Sequence, residues 1–474
     1  MELINIMMNY LTNTMDIGNK DKLRAIILAG GKGDKIFPYN SKWQKSCLPI
    51  GNVPNIIRII DQLEKAGIED TVVLVDYLDT QVTYNLRDYK KVKIVKTSPN
   101  TIRNDIYNGI GDKDAIIYYG DVYVSDEDIN NLLLTFINQG SCILLEKKNN
   151  NFRYSDYICA NEKDGIIRSI YGHPREHYVN SRIGGVFAIE NSLSEYIRYC
   201  PETFLNVPVG GMPPTEFFLE QCIMNAIEDH KEISAVYVNR PIVDMDFPWD
   251  ILFANEKYCI EEVGKLEENK IGINVHISDK AKINGKLYIG DNSIIGDNVL
   301  IKGNCFIGDN TIIENGVIIE ENCVIGHDSI INDYCKILSN TVIGNHNKIG
   351  FTAEISGVTF DRVSMVHHSQ IFGVVGRGTD IAAGCQVAIM RFDDLENPNR
   401  VGNKVYNNRF SNAAFLGDNT RTGIGNIFYP GVKIGSNCAL APGAVIQKDV
   451  QNNKIVFVNQ DLIIKDWDSD RYGW

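Results

Sequence analysis

No apolar run in these 474 residues reaches the length of a membrane-spanning helix, about 20 residues. The first twenty residues, MELINIMMNYLTNTMDIGNK, lack the basic start and cleavage signature of a secretory leader and read as a short extension. Positive charge is in deficit: 47 Lys and Arg stand against 60 Asp and Glu, a net charge of −13. That balance argues against a nucleic-acid backbone as partner, because such binding needs clustered cations. It does not exclude small phosphorylated ligands, which need only a few. Eleven cysteines occur, an odd number, scattered and never as Cys-x-x-Cys. They read as the reduced thiols of a cytoplasmic protein rather than as a disulfide framework. With 44% hydrophobic and 23% charged residues, the chain is ordinary globular material with room for two or three domains.

What is present is a period of six. From Ile271 to Ile355 every sixth residue is isoleucine, fifteen in all. Neither a strand nor a helix asks for one residue type at that interval. A solenoid with a triangular coil does, each side supplied by one hexapeptide with its isoleucine inward. Two residues before the isoleucine stand small or β-branched side chains such as Ser293, Val299, Cys305 and Thr311. One residue after it, Gly290, Gly296, Gly308 and Gly326 suit a tight corner with positive φ. The pattern resembles the hexapeptide-repeat left-handed β-helix, a scaffold of acyltransferases and sugar-nucleotide enzymes. A purely architectural prism stays open on the period alone. The hexad breaks after Ile355, a polar insertion spans residues 391–412, and the period resumes at Leu416.

The first 260 residues alternate strands and helices, which implies a mostly parallel, Rossmann-like α/β sheet with ligands beyond its strand ends. Arg24–Ala29 is a buried strand running into Gly30, Gly31 and Gly33, where backbone N–H groups can approach an anion. Lys35 and Lys45 follow as counter-charges for a triphosphate. The segment Leu28–Pro54 resembles the sugar-1-phosphate nucleotidyltransferases, through Leu28, Ala29, the three glycines, Lys45, Leu48 and Pro49. Tyr119-Gly120-Asp121 and Asp244 extend the match. The resemblance implies that Asp121 and Asp244 hold Mg²⁺, that Lys35 and Lys45 are catalytic, and that Gly120, Thr101 and His173 contact nucleotide or phosphate. The reaction implied is attack of a sugar 1-phosphate on a nucleoside triphosphate. Some positions depart from the family: Lys35 replaces arginine, Gln44 replaces the proline before Lys45, and Asp246 replaces a glycine. Asn100-Thr101 replaces Gly-Thr, Val95 a glutamine, and Gly172-His173-Pro174 the sugar-gripping Glu-Lys-Pro.

The interrupted part of the solenoid, with His367-His368, Arg391-Phe392-Asp393 and Phe415–Gly435, resembles the acetyltransferase half of bifunctional archaeal-type relatives of N-acetylglucosamine-1-phosphate uridylyltransferase. There the resemblance implies His367 as general base, acetyl-CoA as co-substrate, Lys336, Gly423 and Lys448 at the acceptor or CoA site, and a homotrimer. Histidine suits the role because its pKa lies near working pH. Here too the match departs, at Leu338, Ser356, Gln370 and Ile389. The organisation expected is an extension (1–22), a nucleotidyltransferase domain (23–258), a linker (259–270), a β-helix (271–450) and a tail (451–474). A nucleotidyltransferase with a merely structural or allosteric solenoid, or a non-catalytic regulatory subunit of the same architecture, remains an alternative.

Overall fold

The computed structural model describes residues 23–148, 154–172, 174–200, 219–402 and 404–467. The extension 1–22 and the end of the tail lie outside them. The chain forms two compact units, residues 1–258 and 259–474.

Nine strands build the sheet of the first unit: β1 (Leu23–Ala29), β2 (Thr71–Val75), β3 (Val92–Lys96), β4 (Asp114–Tyr119), β5 (Cys142–Lys147), β6 (Ile158–Lys163), β7 (Ile166–Gly172), β8 (Ser181–Ile189) and β9 (Ser234–Tyr237). Their order is β3-β2-β1-β4-β8-β5-β9-β7-β6. The first four are parallel, as continuous apolar runs such as Ala25–Ile27 and Ala115–Tyr118 require for burial on both faces. From β8 onward the sheet is mixed, because β8 runs antiparallel to both β4 and β5. The helix Asn55–Lys65 presents Ile56, Ile59, Ile60 and Leu63 inward, at i, i+3, i+4 and i+7. Helix Asp126–Gln139 starts where Ser125 accepts the Asp128 N–H, with three acids in its first turn.

The second unit is a stack of parallel two- and three-residue strands, paired in register from one coil to the next. Equivalent residues lie 18 apart, three hexads per coil. Every isoleucine of the six-residue series from Ile289 to Ile355 is buried in one continuous core; Ile271, in the first coil, stays half-exposed. Cys259–Val263, in the expected linker, forms a π-helical turn held by Asn304, whose Nδ2 donates to the carbonyls of Val263, Gly264 and Leu266.

Two details differ from the expectation. The left-handed corner residue is not the glycine after the isoleucine but the residue two further on: Asn292, Asn298, Asn310, Asn322 and Asn340 all have φ of 52–59°. Asparagine tolerates that region better than other chiral residues. The glycines serve close stacking instead. A Cβ at Gly290 would sit 2.5 Å from the Asp309 nitrogen, and one at Gly308 2.6 Å from the His327 nitrogen.

Second, the break in the hexad after Ile355 is a change of coil length. The coils shorten from 18 to 16 residues. Two short strands and the corner between them merge into one six-residue strand, at Glu354–Thr359 and again at Gln370–Val375. Gly357 and Gly373, with φ of 122° and 148°, carry the bend. A Cβ at Gly373 would fall 1.8 Å from the Ala414 carbonyl oxygen. The insertion, which contains the hairpin Asn399–Val401/Lys404–Tyr406, is tied to the coil by buried Lys433, whose Nζ donates to Asn399 Oδ1 at 2.9 Å.

Candidate functional site

β1 and β4 are parallel neighbours, so the glycine loop after Ala29 and the Gly120-Asp121 pair leave the same edge of the sheet. Strand order reverses there, β2 lying to one side of β1 and β4 to the other, which opens a crevice beyond their carboxyl ends. The Gly120 N–H donates to the Leu28 carbonyl at 2.9 Å, and a Cβ on Gly120 would press at 3.0 Å on that oxygen and on Ser46 Cβ. Gly33 has φ of 64°, and a Cβ there would lie 2.8 Å from Lys45 Cγ. The glycine thus clears the path of the Lys45 stem. Gly30 packs on Asp76, while the Cβ direction at Gly31 is open. Gln44 secures the loop from below: its Nε2 donates to the Ala29 carbonyl at 2.7 Å and its Oε1 accepts from the Ser46 N–H.

Lys45 is nearly buried, and its ammonium pairs with Asp121 and, at 2.7 Å, with Asp246. Lys35, half-exposed, reaches the other Asp246 oxygen at 3.3 Å. Asp244 arrives on the two-residue strand Val243–Asp244, antiparallel to Val122–Tyr123, which brings it beside Asp121. Asp121, Asp244 and Asp246 offer ligand oxygens within 4.8 Å of one another. Burial pushes the Asp244 carboxyl up to about 7, and the charges of Asp246 and Asp121 add to that. For Asp246 burial acts upward too, but Lys45 and Lys35 outweigh it and hold the group at about 2. Lys45 is driven well above its ordinary value: burial opposes its charge, and Asp121, Asp246 and Asp244 overcome that opposition. Asp250 accepts the N–H groups of Asp246 and Phe247 at 3.1 and 2.7 Å and so fixes the loop. An all-carboxylate donor set with surplus negative charge suits a hard cation such as Mg²⁺.

The structure therefore brings Lys35, Lys45, Asp121 and Asp244 together, and adds Asp246. In the sequence Asp246 looked like a mere departure from a glycine. Its spacing from Asp244 held the signal, since alternate residues of an extended segment share a face. Thr101 is exposed, its Oγ1 accepting from Ser98 N–H at 3.1 Å. His173 lies outside the described residues. Glu220 had no sequence signal: it is buried, accepts the Tyr119 hydroxyl at 2.8 Å, and is held above the usual carboxylate range by burial.

On the solenoid, His367 and His368 share an exposed coil corner with their rings 5.1 Å apart, edge to face. His368 is the better held: its Nδ1 lies 2.5 Å from Thr352 Oγ1 and its ring stands edge-on to Phe351. No hydrogen bond to the His367 ring is present among the described residues. Lys336 lies 3.6 Å from Glu354, its neighbour one coil on. Gly423 is a stacking glycine, its Cβ position 2.3 Å from the Pro442 nitrogen. Lys448 is exposed. Arg391 and Asp393 form a two-pronged pair at 2.8 and 2.6 Å, with Phe392 fully exposed between them.

Residues 24–179 match the nucleotidyl transferase family, residues 267–361 the GMPPB C-terminal domain, and residues 413–448 the bacterial transferase hexapeptide (six repeats). These matches define a nucleotidyl-transferase-like unit followed by a hexapeptide solenoid. Over nearly its whole length the chain is similar to a bifunctional sugar-1-phosphate nucleotidylyltransferase/acetyltransferase of Sulfurisphaera tokodaii, 26% identical over 90% of this chain and 98% of the relative. It is equally similar to the bifunctional protein GlmU of Methanococcus aeolicus, at 26% over 93% and 98%. A third relative, the low-salt glycan biosynthesis nucleotidyltransferase Agl11 of Haloferax volcanii, is 22% identical over 57% of this chain and 73% of its own length.

Proposed function

We propose that this chain is a bifunctional enzyme that transfers a nucleotidyl group from a nucleoside triphosphate to a sugar 1-phosphate and acetylates an amino-sugar 1-phosphate. The observation that carries the first activity is Lys45 set among three carboxylates at the carboxyl edge of β1 and β4. A sugar-phosphate oxygen attacks the α-phosphorus, the α–β bridging bond breaks, and pyrophosphate leaves. Such chemistry runs on positioning and charge neutralisation. The glycine loop supplies N–H groups to the phosphates. Lys45 is preorganised beside the reacting phosphate, and Lys35 covers the more exposed side. Asp121, Asp244 and Asp246 would hold Mg²⁺, which when bound neutralises charge on the transferring and leaving groups.

The solenoid, read as a left-handed β-helix, carries the acetyl transfer, with acetyl-CoA seated between coils of neighbouring copies in a trimer. The base comes from the histidine pair. Thr352 orients His368 as a general base needs, which favours His368 over the His367 expected from sequence. Both co-substrates are cytoplasmic metabolites, and among the described residues no helix is long and apolar enough to cross a membrane.

A pyrophosphate-release screen of four nucleoside triphosphates against hexose and hexosamine 1-phosphates, with Mg²⁺, tests the first activity. Turnover should disappear in Asp121→Asn; no turnover with any pair would favour the regulatory-subunit reading. For the second, thiol release from acetyl-CoA with glucosamine 1-phosphate should be lost in His368→Ala. Loss in His367→Ala alone would return the role to His367.

A further inference from the structure

Asp121 stands on a turn just past the end of β4 at Tyr119, yet its carboxylate is aimed at Asp244 and Asp246. Its own carbonyl accepts the Met245 N–H at 3.0 Å, which ties the turn to the residue after Asp244. The carbonyls on either side of it are held by a single side chain. Asn55 Nδ2 donates to the Gly120 carbonyl at 2.9 Å and to the Val122 carbonyl at 3.0 Å. Both amide hydrogens are thereby spent. Asn55 is the first residue of the helix Asn55–Lys65 and is 1% exposed. Its backbone N–H is anchored in turn, donating to the Leu48 carbonyl at 3.1 Å.

Packing alone would place another residue there. Asn55 precedes the buried stripe of Ile56, Ile59, Ile60 and Leu63, and its Oδ1 is buried with no hydrogen-bond partner among the described residues. A buried acceptor without a partner is destabilising, and an apolar side chain would avoid it. What asparagine supplies that leucine cannot is a pair of donors aimed at the Asp121 turn. The segment leading into Asn55 also reaches the other side of the carboxylate cluster. It is the hairpin Pro49–Ile50/Val53–Pro54, and Asn255 is bound to it twice. Asn255 Oδ1 accepts the Gly51 N–H at 2.8 Å, and its Nδ2 donates to the Pro49 carbonyl at 3.0 Å. Asn255 lies on the helix Asp250–Tyr258, whose first residue fixes the Asp246 loop. One hairpin thus anchors the Asp121 turn at its end and the Asp246 loop at its middle.

On the reading that Asp121, Asp244 and Asp246 hold Mg²⁺, we propose that Asn55 is a positioning residue. It fixes the Asp121 carboxylate relative to the other two, and so sets both the affinity of the site and its preference for Mg²⁺ over Ca²⁺. Mg²⁺ demands near-octahedral oxygens at about 2.0–2.1 Å, whereas Ca²⁺ accepts longer and more variable bonds. A turn released from Asn55 keeps all three carboxylates but loses their fixed spacing. The loss therefore falls on Mg²⁺ first. Groups that orient metal ligands without touching the metal typically govern affinity by about 10–100-fold.

The probe is Mn²⁺, followed by electron paramagnetic resonance in the full chain, with Mg²⁺ and Ca²⁺ as competitors. Wild type should show a Mn²⁺ site that Asp244→Asn removes. Asn55→Leu should weaken that site about tenfold. It should also shift the competition between Mg²⁺ and Ca²⁺ by roughly threefold or more toward Ca²⁺. Asn55→Ser, which keeps one donor on a shorter side chain, should fall between, and it carries the test if the leucine variant does not fold. Calorimetry shows which variants are folded. A folded variant that melts lower, yet keeps wild-type Mn²⁺ affinity and the wild-type competition ratio, would make Asn55 a packing residue only and overturn the proposal. Absence from wild type of any Mn²⁺ site sensitive to Asp244→Asn would instead overturn the metal reading itself, and the proposal with it.

Discussion

Arg182 and Glu146 face each other across β8 and β5, with 5% and 8% of their side chains exposed. Nη2 and Nε lie 2.8 and 2.9 Å from the same Glu146 oxygen. The pair also grips the chain leading to Asp244: Arg182 donates to the Ile242 carbonyl at 2.5 Å and Glu146 accepts the Ile242 N–H at 3.2 Å. Replacing either partner leaves a charge buried and unpaired, which costs about 3–5 kcal/mol. For a unit of this size that corresponds to a fall of roughly 6–20 °C in melting temperature. Arg182→Met and Glu146→Leu should each lose this much, whereas the double variant, with no charge left stranded, should cost no more than either single change. Urea unfolding followed by the fluorescence of Trp43 and Trp249, both buried in this unit, measures the cycle. Additivity within about 0.5 kcal/mol would show that the two side chains act independently and refute the reasoning.

Gly33→Ala should cost about 1–2 kcal/mol for its left-handed backbone and, by crowding Lys45, lower pyrophosphate release at least tenfold in a steady-state assay. Gly373→Ala combines strain with overlap on the Ala414 carbonyl and should destabilise the solenoid by about 2–6 kcal/mol. Gly384→Ala, left-handed at φ 68° but with open space around it, should cost only about 1 kcal/mol, as calorimetry of the two variants would reveal. Burial lowers the Lys433 ammonium below the ordinary lysine value although Asp449 acts against it. The folded state then binds that proton less readily than the unfolded chain. The stability it contributes is present above the ordinary lysine value and lost as pH falls through the folded value. Urea unfolding between about pH 9 and about pH 11 should show this rise, and Lys433→Met should flatten it.

The isoleucine period was readable because each coil repeats one packing problem, and a repeated problem leaves a repeated residue. Lys45 and Asp121 were readable because they sit beside glycines whose backbone geometry admits few alternatives. Asp246 was less so: its spacing from Asp244 hints at a shared face, but its partners Lys35 and Lys45 lie 211 and 201 residues away and meet it only across the sheet edge. The glycines of the corners misled for a different reason. A sequence records that a Cβ is absent, but not whether φ or a neighbouring coil forbids it; at Gly290 it is the neighbour. The orientation of His368 by Thr352 depends on a pairing 16 residues apart, which an 18-residue frame cannot show.

The shortened coils make length changes in this solenoid quantised. Removing two residues from an ordinary coil would turn every later isoleucine out of line, yet here the inward column runs unbroken from Ile355 to Ile371 and on to Val387. It survives because the loss falls wholly on one corner, which a glycine turns within a continuous strand. An insertion of any size is tolerated by the same logic, provided it leaves and re-enters at a single vertex, as residues 391–412 do. A search tuned to six-residue periodicity must lose its place there. The stretch left between the two matched solenoid segments, residues 362–412, contains one such glycine strand and the insertion, in a fold that itself never stops.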